Sequence, residues 1–384
     1  MTAAGSSQNS PWENDRRIVL TLDAGGTSFR FSAIAGNREA ARGLTLPSRG
    51  DDLDACLAQI IEGFSRVWEE AGGAAAISFA FPGPADYAAG VIGDLGNLPA
   101  FRGGVALGPM LEDRFGMPVY INNDGDLFAY GEALHGLLPD VNRRLGEAGS
   151  PRRYRNLLGV TLGTGFGAGI VRDGELFVGD NGAAGEIWLV RNKLDRDLPA
   201  EDGVGIRAVR SVYAREAGIA PDTAPEPSVI AAIARRETPG DETAAREAFR
   251  RLGEVAGDAV ANAVTLLDGL VVIGGGLAGA AELFLPALVG ELNGTLARLT
   301  GGNVSRLEVA ALNLEDPAER ARFVSSRAQS VRVPGSHRTV LYETEKRTGV
   351  GLSRLGTSRA VGLGAYAWAL KKLDGSSSKT EVSR

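Results

Sequence analysis

Short apolar runs that stop at glycine alternate along this chain with longer stretches in which apolar residues recur every three or four positions. Residues 18–22 form such a run, entering Asp23-Ala24-Gly25-Gly26-Thr27-Ser28; Phe29, Phe31 and Ala33 then alternate with polar neighbours. The pattern predicts a strand, a glycine turn and a returning strand. Leu53, Leu57, Ile60, Ile61, Phe64, Val67 and Trp68 keep helical spacing, with acidic residues at the start where the helix dipole favours them. Residues 76–81 form a further strand stopped by Pro82-Gly83-Pro84, and 119–121 another that runs into Asn122-Asn123-Asp124. A helix is expected from about 126 to 134.

The pattern then begins again. Residues 157–162 lead into Gly163-Thr164-Gly165, and a return strand through Ile170 and Val171 turns at Asp173-Gly174. Beyond 205 the spacing is mostly helical, interrupted by an apolar run at 270–273 that enters Gly274-Gly275-Gly276 and a helix from about 281. Residues 300–355 read as polar and irregular, the basic run 138–156 as a solvated surface loop, and 358–372 as a closing helix. Alternating strands and helices predict an α/β chain. The repeated strand, glycine turn and return strand suggest two related lobes facing a shared cleft, although one recurrence in a glycine-rich chain is a weak repeat.

Length and composition narrow the class. A chain of 384 residues is long for one core, which again favours two lobes. Lys plus Arg number 41 against 47 Asp plus Glu, a net of −6 that disfavours a nucleic acid as partner. The single cysteine, Cys56, forms no intramolecular disulfide and no cysteine-rich zinc site, a composition that suits the cytoplasm. No run reaches the roughly 18–20 apolar residues of a spanning helix, so no membrane is expected. The expected layout is a polar lead-in at 1–16, an N-terminal lobe at 17–135, a larger lobe at 136–357, a closing helix at 358–373 packing back on the first lobe, and a flexible tail at 374–384.

Phosphate recognition needs closely spaced backbone N–H donors, and glycine lets a backbone approach without a Cβ in the way. Three glycine turns that directly follow apolar strands meet that need: 23–28, 163–169 and 274–276. Each alone reads equally as a tight turn without ligand. None has the lysine-bearing P-loop form or the full dinucleotide fingerprint, which disfavours those two nucleotide folds.

Taken together and in order, LTLDAGGTSFRFSAI, ISFAFPGPAD with GNLPAF, INNDGDLFAYGE, LGTGFGAGIVRDGELFVGDNGAAGE and VVIGGGLAGAAELFLPAL resemble the motifs of the ROK family of bacterial sugar kinases and repressors. The resemblance implies the two-lobed actin-like ATPase fold, which is ribonuclease H-like, with an interlobe active-site cleft. It also implies phosphoryl transfer from ATP, with Mg²⁺, to a hydroxyl of a hexose such as glucose, O6 being the expected acceptor.

The implied roles fall on individual residues. Asp124 would be the general base, taking the proton of the acceptor hydroxyl as phosphorus is attacked; its plainer role is a helix cap. Asp126 can equally cap that helix, and only the motif register favours Asp124. Asn123 would hold a sugar hydroxyl, or form an Asx turn. Asp23 would orient Mg²⁺ through water. Gly25, Gly26 and Thr27 on one turn and Gly163, Thr164 and Gly165 on the other would hold phosphates. Gly275 and Gly276 would lie against adenine and ribose. Glu186 and Glu201 would accept bonds from sugar hydroxyls, a task for which a carboxylate is suited, and Gly83 and Asn97 would line the sugar pocket.

The chain departs from the family where many members carry a histidine and a cysteine cluster that hold a structural zinc. That histidine position is Leu189 and no cysteine follows, so no structural zinc is expected. Trp188, Arg191, Asn192 and Lys193 are the candidates to replace the lost sugar contact. The two histidines, His135 at a helix end where a cation suits the dipole and His337 in a polar turn, read as structural or surface residues. Two other readings remain. A sugar-responsive repressor needs a helix-turn-helix module ahead of the first phosphate motif, and 17 residues before Ile18 are too few. A catalytically silent sugar or nucleotide binder would have no need of Asp124. A homodimer is the family expectation.

Overall fold

The computed structural model describes residues 12–25, 27–93, 99–326 and 328–382, with side chains to 375. The chain divides into two compact units. One is the chain up to Gly136 with Val178–Ala184 and the chain from Thr357 on; the other is Leu137–Phe177 with Gly185–Gly356.

The first unit is built on a sheet ordered β3-β2-β1-β4-β7, from β1 (Val19–Ala24), β2 (Ser28–Ala35), β3 (Arg38–Pro47), β4 (Ala76–Ala80) and β7 (Val119–Asn122). The alternation in β2 buries Phe29, Phe31 and Ala33 and leaves Ser28 and Arg30 exposed. Helix α1 (Leu53–Ala71) starts where Asp52 accepts from the Ala55 N–H and ends at Gly72 in the left-handed region, φ 72°. Its apolar stripe lies on the Phe31 face of the sheet, with Phe64 between Phe31 and Phe79 at ring separations of 5.1 and 5.6 Å. The opposite face is covered by α11 (Thr357–Val382), which also packs on α3 (Asp124–His135). These two helices cross at van der Waals distance because Gly131 and Gly364 lack side chains: a Cβ on either would lie 2.0 Å from a carbonyl oxygen of the other helix. A two-residue ladder of β5 (Ala85–Asp86) and β6 (Val91–Ile92), with α2 (Leu107–Phe115), completes the unit.

The second unit carries a sheet ordered β10-β9-β8-β11-β17-β14, from β8 (Leu157–Leu162), β9 (Phe166–Arg172), β10 (Glu175–Phe177), β11 (Leu270–Gly274), β14 (Ala310–Asn313) and β17 (Arg347–Leu352). Helices α5 (Glu201–Val204), α6 (Ile206–Ala217), α7 (Pro227–Ala234), α8 (Glu242–Leu267) and α9 (Ala281–Leu292) enclose its largest core. Two ribbons, β12 (Thr295–Ala297) with β13 (Asn303–Ser305) and β15 (Ala328–Arg332) with β16 (Thr339–Glu343), flank α10 (Pro317–Val324).

Four sequence readings are corrected. The stretch 138–156 opens as a helix, α4 (Leu137–Glu147), because Leu138, Val141 and Leu145 bury one stripe while the arginines line the other. Residues 300–355 are largely ordered; β17 hides in them because its buried residues include Arg347 and Thr348, whose hydrogen bonds go to the Arg322 and Gly269 carbonyls at 3.0 and 2.6 Å. Helix α3 starts at Asp124, two residues earlier than expected, since Asn123 is its cap. Helix α11 runs to Val382, into the stretch expected to be a tail.

Candidate active site

In the first unit the three parallel strands end level with one another: Asp23 pairs with Ala80 and Ala80 with Asn122. Loops leaving the carboxyl ends of such strands are where open α/β sheets bind ligands. From β1 comes the turn 24–28, closed by the Gly25 N–H on the Ser28 carbonyl at 3.0 Å, with the Thr27 carbonyl accepting from Ser48 at 3.1 Å. Gly25 and Thr27 are exposed there. From β4 comes Gly83, also exposed. From β7 come Asn123 and Asp124. Asn123 caps α3 by accepting from the Gly125 N–H at 2.8 Å, and the same N–H reaches the Asp124 carboxylate at 2.9 Å. Asp126, the rival carboxylate, is 3% exposed whereas Asp124 is open to solvent.

Tyr87 was not singled out by sequence. Its hydroxyl donates to the Phe81 carbonyl at 2.9 Å, stands 3.5 Å from the Asn123 amide, and would lie 3.2 Å from a Cβ on Gly83. It joins the Gly83 turn to Asn123; an aromatic with a polar tip four residues past a glycine turn was the available signal. A cavity of about 450 Å³ opens beside Asp23, lined also by Arg30, Arg38, Ser358 and Arg359. Gly26 and Asn97 lie outside the described residues.

In the second unit the level strand ends are β8 and β11, where Thr161 pairs with Gly274. The turn 163–165 closes with the Gly163 N–H on the Gly165 carbonyl at 3.0 Å. Gly275, at φ 89°, presses its backbone against Leu162: a Cβ there would sit 2.2 Å from the Leu162 carbonyl oxygen. That approach sets Gly275 beside the 163–165 turn. Gly276 has no atom within 4 Å of where its Cβ would be. Glu201, at the start of α5, accepts from the Phe166 N–H at 2.9 Å, so one of its two oxygens is already engaged with the turn.

Glu186 is exposed and accepts a hydrogen bond from the Trp188 indole N–H. Of the four residues considered for the lost histidine contact, Trp188 is thus the one joined to a candidate sugar carboxylate. Asn192 is 4% exposed and folds its own loop by accepting from the Leu194 and Asp195 N–H groups at 2.9 and 3.3 Å. Lys193 is held by Glu291 and Glu254 at 2.6 and 3.4 Å, while Arg191 lies exposed on the loop. The loop closes where the Ala200 N–H donates to the Val190 carbonyl at 2.7 Å. Among the described residues no group of three or more His, Cys, Asp or Glu is placed to hold a metal ion.

His135 is the structural residue expected, but not a cation. Burial, reinforced by the Arg359 charge, lowers its pKa to about 4, so it is neutral at pH 7 and adds no cation to the end of α3. Burial likewise pushes the Cys56 thiol up to about 11, leaving it an inert part of the core.

Two α/β units, each with glycine turns at the carboxyl ends of its parallel strands, define a protein of the two-lobed actin-like ATPase class. Within that class the chain belongs to the ROK family, whose model matches residues 19–319. A glucokinase from Parabacteroides distasonis is 54% identical, with a TM-score of 0.84 over 94% of this chain and 99% of that one. A ROK family glucokinase from Streptomyces griseus, solved with glucose and AMPPNP, shares the fold at 18% identity and a TM-score of 0.57, over 91% of this chain and 98% of that one. The N-acetyl-D-glucosamine kinase of Aliivibrio salmonicida (strain LFI1238) is 32% identical over 174 residues, 45% of this chain and 53% of that protein. The chain thus spans about half the length of the curated relatives it matches.

Proposed function

We propose that this protein is an ATP-dependent sugar kinase that moves the γ-phosphoryl group of ATP to O6 of a hexose such as glucose. The observation that carries the reading is the solvent-open Asp124 carboxylate at the start of α3, two residues past Asn122, where β7 ends level with Ala80 of β4, as Ala80 does with Asp23 of β1. Asp124 takes the proton from the acceptor hydroxyl as that oxygen attacks the γ-phosphorus, and the bond to the β–γ bridging oxygen breaks to release ADP. In the first unit the candidates to orient the sugar are Asn123 and the Gly83 turn, tied through Tyr87; in the second the candidate acceptors are Glu186 and Glu201.

Thr27, Thr164 and Gly165 supply backbone donors for phosphates, on turns that the Gly25 and Gly163 N–H groups close, and Gly275 and Gly276 lie along the nucleoside. A magnesium ion carried with ATP needs only one or two protein carboxylates because substrate phosphates and water complete its shell, and Asp23 fits that requirement. When bound, it would neutralise phosphate charge. The relatives' names put glucose and N-acetylglucosamine first among acceptors to try. No helix among the described residues is long and apolar enough to cross a membrane, and we place the enzyme in the cytoplasm with its ATP.

The test is ADP release from Mg·ATP with glucose, N-acetylglucosamine and 6-deoxyglucose. Turnover is expected with one of the first two and not with the 6-deoxy sugar. Turnover with 6-deoxyglucose would move the acceptor away from O6, and no sugar-dependent release with any hexose would leave a silent binder.

A further inference from the structure

We infer that Glu201 is a positioning residue for the second glycine turn, acting on the nucleotide side of the reaction and not only on the sugar; this rests on the kinase reading above. The turn 163–165 is short and contributes one cross-turn bond of its own, from the Gly163 N–H to the Gly165 carbonyl. Further support comes from residues 201–206. The Glu201 carboxylate accepts from the Phe166 N–H at 2.9 Å, and the Ile206 N–H donates to the Gly163 carbonyl at 2.9 Å. The fit leaves no slack: a Cβ on Gly165 would stand 2.7 Å from the Glu201 Oε2, and one on Gly205 would stand 2.8 Å from the Thr164 carbonyl oxygen.

The Glu201 backbone is fixed in turn. Buried Ala200 and Val204 anchor α5, and the Gly205 N–H donates back to the Glu201 carbonyl at 3.1 Å. The other carboxylate oxygen, Oε1, is 4.0 Å from the mostly exposed Arg207 guanidinium. Glu201 therefore has two ends with separate tasks. Oε2 holds the Phe166 N–H and keeps the donors of the turn directed outward, while Oε1 remains available to a hydroxyl. A charged acceptor makes a stronger bond to a backbone N–H than a neutral one, so the carboxylate sets the geometry of the turn before nucleotide arrives.

The experiment compares wild type, Glu201→Ala and Glu201→Gln in three readouts: hydrogen exchange at 163–166 without ligand, Mg·ADP affinity without sugar, and KM for ATP and for sugar. Glu201→Ala should speed exchange at Phe166 and weaken Mg·ADP about tenfold, the scale of one hydrogen bond to a charged group. Glu201→Gln, whose amide oxygen still accepts from Phe166, should return nucleotide affinity to within about threefold of wild type, which a general loss of stability would not allow. Unchanged exchange and unchanged Mg·ADP affinity in Glu201→Ala, with only the sugar KM raised, would overturn the inference and leave Glu201 a sugar ligand. A wild type that binds no nucleotide would sink the kinase reading instead, and the exchange at Phe166 would still decide whether Glu201 braces the turn.

Discussion

The hairpins β1–β2 and β8–β9 share one plan: a buried strand, a glycine turn with a threonine, and an antiparallel return. They differ in what holds the turn. The first is closed by backbone alone, with the Gly25 N–H on the Ser28 carbonyl and the Ser48 N–H on the Thr27 carbonyl. The second leans on a carboxylate and an N–H supplied by residues 201 and 206, well away in sequence. A local motif announces that a turn exists and says nothing about whether the turn is self-supporting.

The largest test of this contrast concerns the chemistry assigned to the first unit. Asp124→Asn keeps shape and removes the base, so sugar-dependent ADP release should fall roughly 10²–10⁴-fold while Mg·ADP affinity holds. Equal loss of nucleotide binding would show that the residue does not separate from the phosphate turns. Next comes acid. His135 is held neutral in the first unit, with a folded pKa of about 4 against the ordinary 6.5. Its contribution is complete above about pH 6.5 and is lost as pH falls toward 4, because the unfolded chain takes up the proton first; the full loss is about 3 kcal/mol. Hydrogen exchange should therefore show α3 and α11 loosening before α8 over that window, and His135→Gln should flatten the difference.

Smaller effects separate the turns themselves. A Cβ on Gly25 would lie 2.9 Å from the Ser28 carbonyl oxygen, whereas one on Gly163 meets nothing within 4 Å. Gly25→Ala should cost about 1–3 kcal/mol in thermal unfolding and Gly163→Ala under about 0.5 kcal/mol; similar losses would remove the distinction. Smallest is Trp188→Phe, which keeps the ring and drops the N–H on Glu186. It should raise the sugar KM by roughly fivefold, the value of about 1 kcal/mol, with kcat steady.

What could be seen in advance follows the same division. Strands that finish at glycine were legible because a buried apolar run and its stop are adjacent: 157–162 is β8 to the residue. The Asn123-Asp124 pair was legible as a strand end, but not that Asn123 caps and Asp124 is left open. The Glu201–Phe166 bond and the loop folded around Asn192 were invisible because each joins residues whose types are ordinary and whose meeting depends on the finished chain. Charges misled at 138–147, where arginines on the wet side of α4 masked Leu138, Val141 and Leu145.

The covering helix α11 follows every residue of the second unit in the chain, yet packs on β1 and β4 of the first. As the polypeptide leaves the ribosome, β1, β4 and α3 emerge early with one apolar face uncovered, and stay so until synthesis has passed through the other unit. Units ordinarily fold as they emerge; this one must wait for its last helix, and a nascent chain stalled before Thr357 should draw chaperones to the β1–β4 surface.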